Sequence, residues 1–354
     1  MTRDADLVIV GGGPVGLATA LYAVRAGLTP IVLEPRQGTI DKACGEGLMP
    51  AGLRALLELD VDPAGFPLQG IRYCRGGRTA TADFRTPGRG VRRTTLHAAL
   101  AAEVQRHGIP VYAAHATAVT QSADSVTVQA RAGESPRTVT GRHLIAADGL
   151  HSPMRAALGL ERPAAPPTGR RRFGQRAHFA ISPWSDHVEV HWGDDAEAYV
   201  TPVAEDRVGV AILTSRKAPY AALLAQFPEL RARLDGATTV GETRGAGPLR
   251  QRTSARVAGR AMLVGDASGY IDALTGEGIS LGVQRAQAAV AAITGGDLAA
   301  YERQWRRIGR TPALLTHGLL LATRPGWARR AIVPAAQAAP MVFRGAVRAL
   351  GDGS

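Results

Sequence analysis

The sequence predicts an α/β protein: a parallel, dinucleotide-binding sheet, an antiparallel sheet domain inserted into it, and a helical tail. Three observations carry that prediction. A short apolar strand, Leu7 to Val10, runs into Gly11, Gly13 and Gly16 at G-x-G-x-x-G spacing, and a helix from Pro14 to Ala26 follows. Residues 171–215 change to strands of period two (RRFGQRAHFAI, HVEVHW, EAYVTPV, RVGVAIL), the alternation of an antiparallel sheet with one covered face. A last apolar strand, Ala261 to Val264, ends in Gly265-Asp266 before a helix from Gly278 to about Ile293, so the first sheet resumes after the insertion.

In chain order, Gly11 permits the tight turn, Gly13 lets a pyrophosphate approach the backbone, and Gly16 lets helix pack on strand. Pro14 opens a helix whose first amides point at that pyrophosphate. A second strand, Thr29 to Leu33, delivers Glu34 eighteen residues beyond Gly16, where a carboxylate accepts hydrogen bonds from ribose hydroxyls. The loop PRQGTIDKACGEGLMPAG comes next, long enough to be functional, then a helix from Leu53 to Leu59. Residues 69–85 read as short strands with turns, and RRTTLHAALAAEVQRHG as a helix stopped by Gly108. Pro110–Ala114, Ala118–Thr120 and Ser125–Ala130 make a three-stranded meander, and His143–Ala147 returns to the sheet. Beyond the inserted strands lie a helix over Ala221–Leu234, a return segment Arg244–Val257, and a helical, arginine-rich tail from Leu298 interrupted at Pro312, Pro325 and Pro334. The expected division is a discontinuous dinucleotide domain (1–68, 90–165, 245–297), a substrate domain (69–89, 166–244) and a helical region (298–354).

A chain of 354 residues is long enough for two associated domains with a sizeable core. Its formal charge of +12 is carried almost wholly by arginine, Lys42 and Lys217 being the only lysines, and no basic run is interleaved with aromatics as a nucleic-acid platform requires. Cys44 and Cys74 fit no metal-ligand spacing and no disulfide framework, which suits a reducing cytoplasm. The first residues show no signal-peptide pattern, and the apolar stretch Pro312–Leu321 is too short to span a bilayer. A cytoplasmic protein is expected.

Two further stretches sit at strand ends, ADGLHSPMR from Ala147 and GDASGYIDALTGEGISLG from Gly265. With the first glycine motif, and in that order, they resemble the FAD-dependent monooxygenase and geranylgeranyl reductase superfamily, which shares the fold of para-hydroxybenzoate hydroxylase. The resemblance covers residues 6–300. It implies a Rossmann-like, glutathione-reductase-type FAD domain, with FAD as cofactor. NAD(P)H is implied as a transient electron donor, since the chain has no second strand-glycine-helix unit. The resemblance puts the ADP part on Gly11, Gly13, Pro14 and Gly16, with Glu34, Pro35 and Arg36 at the second strand's end. Asp148 and Gly149 fall near the pyrophosphate, and Gly265 and Asp266 near the ribityl chain. Arg93 of R-x-x-L contacts the ribityl region, with Arg92 as the competing choice; Ala118, Cys44 and Gly45 complete the implied cofactor contacts. Independently, the turn Thr275-Gly276-Glu277-Gly278 opening a helix at Ile279 lets amides reach the flavin's pyrimidine edge and favours negative charge there.

The loop Lys42 to Leu48, KACGEGL, resembles the geranylgeranyl reductase branch, as does Gly269 in GDASG. The reductases' Y-x-W-x-x-P strand motif is degraded here to Glu197-Ala198-Tyr199-Val200-Thr201-Pro202. The halogenase W-x-W-x-I-P motif is absent, and no lysine is expected where it would relay hypohalous acid. Cys44 either shapes the flavin pocket, supplies a proton or is simply a small buried residue; Glu46 is a general acid/base or a solvated loop carboxylate. Glu189, His191 and Tyr199, on alternating positions of neighbouring strands, either present one face to flavin and substrate or form a solvent-facing polar stripe; Arg176 and His178 share that ambiguity. Cys44, Glu46 and Tyr199 are therefore the catalytic candidates, and Glu189, His191 and Tyr199 the substrate-binding ones. The leading function is NAD(P)H-dependent monooxygenation of a phenolic or polyketide-type metabolite by way of a flavin C4a-hydroperoxide, with molecular oxygen as co-substrate. The alternatives are a reductase saturating isoprenoid double bonds and a non-catalytic flavin-binding module. The substrate is a small aromatic or lipophilic molecule. The tail leucines Leu314, Leu315 and Leu319–Leu321, beside Arg324, Arg329 and Arg330, either pack on the core or rest on a membrane surface.

Overall fold

β1 (Ala5–Val10) is buried because it is the middle of a sheet: it pairs in parallel with β2 (Pro30–Leu33) on one side and with a later strand on the other. The structure, a computed structural model, describes residues 3–162, 171–323 and 325–352. Arg324 and the domain boundary expected at 165/166 lie outside them. α1 (Pro14–Arg25) starts on Pro14, whose missing N–H is free of cost at a first turn. After β3 (Gly47–Leu48), α2 (Pro50–Leu57) begins earlier than the expected Leu53, since Pro50 presets the helical φ. The short strands expected over 69–85 are one long hairpin, β4 (Phe66–Arg75) and β5 (Arg78–Gly90), turning at Gly76-Gly77.

α3 (Arg93–Arg106) leads into β6 (Val111–Tyr112), which joins the parallel sheet beside β2. The meander is corrected accordingly: its strands are β7 (His115–Gln121), β8 (Val126–Ala132) and β9 (Ser135–Ala146), and β9 continues as the central partner of β1. A short α4 (Pro153–Ala157) is capped by Ser152.

The inserted sheet adds β10 (Phe173–Ala180), β11 (His187–Trp192), β12 (Ala196–Ala204) and β13 (Arg207–Thr214). The helix expected over Ala221–Leu234 is split into α5 (Tyr220–Leu224) and α6 (Pro228–Arg233), because Pro228 cannot continue a helix but starts one well. β14 (Thr238–Ala246), whose last three residues open the return segment expected from Arg244, is an exposed edge strand. The sheet runs β14-β10-β13-β12-β11-β4-β5-β3 and is mixed, β4 and β11 lying parallel. It is also covered on both faces, not one: Leu223, Phe227 and Leu230 of the α5–α6 segment pack on Ala198, Val200 and Val210, while Ile71, Val190 and Tyr199 face the C-terminal helices.

β15 (Val257–Ala258) and β16 (Ala261–Leu263) complete the first sheet, order β15-β16-β9-β1-β2-β6. A 3₁₀ turn (Gly265–Ser268) and α7 (Gly278–Thr294) follow. The tail is α8 (Leu298–Ala322), α9 (Gly326–Ala338) and α10 (Pro340–Asp352). Pro312 and Pro334 sit inside α8 and α9 and do not interrupt them; α8 ends at Ala322, α9 begins at Gly326, and Ala339 separates α9 from α10. Gly11, Asp148 and Asp266 thus stand at the carboxyl ends of β1, β9 and β16, where open parallel sheets bind ligands.

Candidate active site

Backbone sterics define the nucleotide cradle. Gly11 has φ of 106°, and a side chain there would strike the Ala147 carbonyl; one at Gly16 would land on the Gly11 carbonyl oxygen. Gly13 is different, since a Cβ there meets nothing nearer than the Arg93 guanidinium at 3.7 Å: this backbone is open to an approaching ligand. Glu34 accepts the Gly12 N–H at 2.8 Å and is held by Arg36 Nε at 2.7 Å. Burial pushes its pKa up, and the hydrogen bonds from Arg36 and Gly12 more than reverse this, leaving it below the usual value. Sequence reasoning missed His97, buried on α3, which takes the Ile40 N–H on Nδ1 and so donates from Nε2 to the Gly12 carbonyl at 3.0 Å. Pro35 follows Glu34 on the surface, and Ala118 lies in β7, away from the cavity described next.

A cavity of about 750 Å³ begins at Gly13, Pro14, Arg36 and Arg93 and passes Asp148, Gly149, Gly265 and Asp266. It then opens between the loop Lys42–Gly47, the turn Gly276–Ile279 and the inner face of the inserted sheet. Arg93, not Arg92, is on its wall. Burial raises the carboxyl pKa of both Asp148 and Asp266, with Lys42 and Arg93 pulling Asp266 the other way. Lys42 also lines the cavity, and burial lowers its pKa against the pull of Asp266. Glu277 turns away from the cavity that its neighbours line; burial pushes its carboxyl up to about 8 and one oxygen has no partner.

The loop 41–48 is fastened to the sheet by buried charge. Arg176 on β10 pairs with Asp41 and donates from Nη1 to His178 Nδ1 at 3.1 Å; guanidinium can only donate, so His178 carries its proton on Nε2 and gives it to Glu46 Oε2 at 2.6 Å. Glu46 is therefore buried, not solvated, and also accepts the Arg93 N–H at 2.9 Å, in a backbone conformation of φ 61°. The Thr201 hydroxyl donates to the Gly45 carbonyl at 2.8 Å. Cys44 between them faces the cavity, its sulfur accepting the Glu46 N–H at 3.4 Å and its thiol pKa raised by burial. Tyr199 lines the cavity too, with its hydroxyl donated to the Leu274 carbonyl at 2.8 Å.

Glu189 and His191 are corrected. Register pairs Val190, not Glu189, with Tyr199, so both point to the opposite face, beneath α6 and away from the cavity. There they sit beside Cys74, and the Glu189 carboxylate is taken up by Trp184 Nε1 at 3.0 Å, His191 Nε2 at 3.1 Å and Arg72 at 3.4 Å.

The beginning of the cavity fits a flavin dinucleotide: an open glycine turn at Gly13, the N-terminus of α1, and two buried polar atoms without a partner, Asp148 Oδ1 and Arg93 Nε. The family profile described as FAD binding domain matches residues 4–295. The chain belongs to that family. It is an FAD-dependent oxidoreductase with the para-hydroxybenzoate hydroxylase fold. Menaquinone reductase of Mycolicibacterium smegmatis is 28% identical over 329 residues, 86% of this chain and 80% of that protein. Digeranylgeranylglycerophospholipid reductase 1 of Methanothermobacter thermautotrophicus is 27% identical over 331 residues, 87% of this chain and 81% of its own. A 3-(3-hydroxy-phenyl)propionate/3-hydroxycinnamic acid hydroxylase of M. smegmatis, 28% identical, matches only 44% of this chain and 30% of its own. Among solved structures, a flavoprotein/dehydrogenase from Cytophaga hutchinsonii superposes with a TM-score of 0.79 at 16% identity, covering 89% of this chain and 85% of that one. Membership among named enzymes removes the non-catalytic module.

Proposed function

We propose that this family member reduces an isoprenoid carbon–carbon double bond in a lipophilic substrate, drawing electrons from NAD(P)H, and so reverse the order in which the sequence alone ranked its two enzymatic readings. The observation that carries the proposal is the shape and lining of the cavity. Beyond the flavin end it continues between Ile71, Val190 and Leu213 of the sheet and Leu319, Ile332 and Phe343 of the C-terminal helices. That is an elongated apolar chamber, suited to a chain of methyl-branched units and offering few polar groups to a phenol. The two reductases match along most of their length, the hydroxylase along under a third of its own.

Saturating an alkene takes a hydride on one carbon and a proton on the other; bound, reduced FAD supplies the hydride. The chain supplies the rest. Gly13, Pro14 and the first amides of α1 would hold the pyrophosphate, and the N-terminus of α7 at Gly278 would favour negative charge at the flavin's pyrimidine edge. The apolar walls exclude water. Cys44 is the proton donor: burial keeps its thiol protonated, and it faces the cavity, whereas the Tyr199 proton is committed to Leu274. Glu46, through its hydrogen bonds with His178 and Arg93, positions Cys44.

The test is anaerobic reoxidation of NAD(P)H-reduced holoenzyme by polyprenyl quinones and polyprenyl phospholipids, with mass spectrometry of the product. A gain of two hydrogens without oxygen supports the reading, and Cys44→Ala then slows this step about 100-fold while leaving flavin reduction unchanged. Reoxidation only by oxygen, with an oxygen atom in the product of a phenolic substrate, sinks it in favour of monooxygenation, the reading that the partial hydroxylase match favours.

A further inference from the structure

The cavity does not end inside the protein. Leu314, Gly318 and Ala322 of α8, Ala335 of α9, Ala339 just after it and Val342 of α10 line it and are at the same time solvent-exposed, so its far end opens between the three helices. The same three helices carry side chains a soluble surface rarely shows: Trp327 and Met341 are each 74% exposed and Leu321 56%, and none of them lines the cavity. The outer stripe of α8 reads Arg307, Arg310, Leu314, Gly318, Leu321, spaced three and four apart, cationic first and apolar after. α10 exposes Arg344 beside Met341 and Val342. From Arg303 to Gly351 the sequence holds nine arginines and no Asp or Glu. Some of this charge is spent within the protein, on Asp297, Glu197 and Asp194, but Arg307, Arg310 and Arg344 remain exposed on the apolar stripe's own helices. No helix among the described residues is long and apolar enough to cross a membrane.

We infer that the α8–α10 face docks on an anionic lipid surface, with the cavity mouth turned into the bilayer. Trp327, Leu321 and Met341 enter the interface, and arginines on long stems meet lipid phosphates. A lipophilic substrate then passes from bilayer to chamber without crossing water; only that last point rests on the proposed reaction, the docking itself being read from exposure and charge. Charge decides the occupant: the exposed stripe of α8 and the exposed Met341–Arg344 stretch of α10 carry arginines and no acid between them, which matches anionic headgroups, whereas a second copy would set arginine against arginine.

The test is flotation of holoenzyme with large unilamellar vesicles of phosphatidylcholine alone and of phosphatidylcholine with phosphatidylglycerol. The protein floats with the anionic vesicles, loses roughly tenfold of that binding in half-molar salt, and binds zwitterionic vesicles far more weakly. Leu321→Ser/Trp327→Ser/Met341→Ser keeps its flavin absorbance and circular dichroism and loses binding about tenfold or more. As a second readout, Trp327→Phe isolates the change in tryptophan emission that brominated lipid produces in the wild type. Failure of the wild type to float, equal flotation with both vesicle types, or flotation untouched by the triple variant overturns the inference. So does a wild-type dimer that the triple variant dissociates, which would give the face to a second copy. None of these readouts depends on turnover, so the docking and the reductase reading fail separately.

Discussion

Gly16 has no room for a methyl group, because the Gly11 carbonyl oxygen already occupies it. Gly16→Ala must push α1 off β1, at about 3 kcal/mol, and that displacement falls on the pyrophosphate site; FAD affinity measured by fluorescence titration falls roughly 100-fold. Glu277 makes a prediction of a different sign. Its folded pKa of about 8 lies above the unfolded value near 4.5, so the native state keeps a proton the unfolded chain has released, and stability falls as pH rises between those values. Glu277→Gln removes this, stabilising the protein at pH 9 by roughly 3–5 kcal/mol, a gain that nearly vanishes by pH 5 in urea denaturation. At this scale the steric need for Gly11 and Gly16 was legible, since each is dictated by its immediate backbone. His97 and His178 were not: their roles depend on Gly12 and Glu46, held close only by the tertiary fold.

Among elements, β12 shows what replaced the degraded aromatic motif. Glu197, fully buried where the reductases carry an aromatic, takes Arg172 at 2.7 Å and Arg329 of α9 at 2.8 Å, and Arg172 also holds Asp272 at 2.8 Å. Two cations and two anions close a neutral buried cluster that ties the C-terminal helices to the sheet. Arg329→Met leaves Glu197 short of a partner and costs about 3 kcal/mol; limited proteolysis then cuts within residues 298–352 while the flavin spectrum is retained. Period two told correctly which residues of one strand share a face, but said nothing of which residue faces which across a hairpin. With Trp192 opposite Glu197, odd positions on β11 meet even positions on β12, which is why Glu189 and His191 part company with Tyr199. Prolines misled for a similar reason: Pro312 and Pro334 are tolerated inside α8 and α9, where packing against the core outweighs one lost hydrogen bond each.

At the scale of the whole molecule, the chamber's third wall comes from residues that the sequence offered only as a leucine- and arginine-bearing tail. Small side chains keep it open: Ala336 and Ala346 stand on its lining where larger residues would fill it. Ala336→Phe shortens the chamber, and kcat/KM for substrates of several isoprene units drops about tenfold while that for a single unit and the FAD affinity stay unchanged; steady-state kinetics across a chain-length series reads this directly. The two ends of the cavity were unequally legible because they are made differently, one from short motifs next to strand ends and the other from three helices that meet only after the sheet has placed them.

The discontinuous first sheet also imposes an order on synthesis. β1 emerges from the ribosome early, yet its neighbour β9 awaits the meander, and β16 awaits the whole insertion, so the nucleotide crevice cannot close until Asp266 and the turn before α7 have been translated. α8, α9 and α10 come later still. A nascent chain therefore acquires the means to hold its flavin before it acquires the wall that shelters the reaction, and through that interval the apolar inner faces of the second sheet stand open to chaperones.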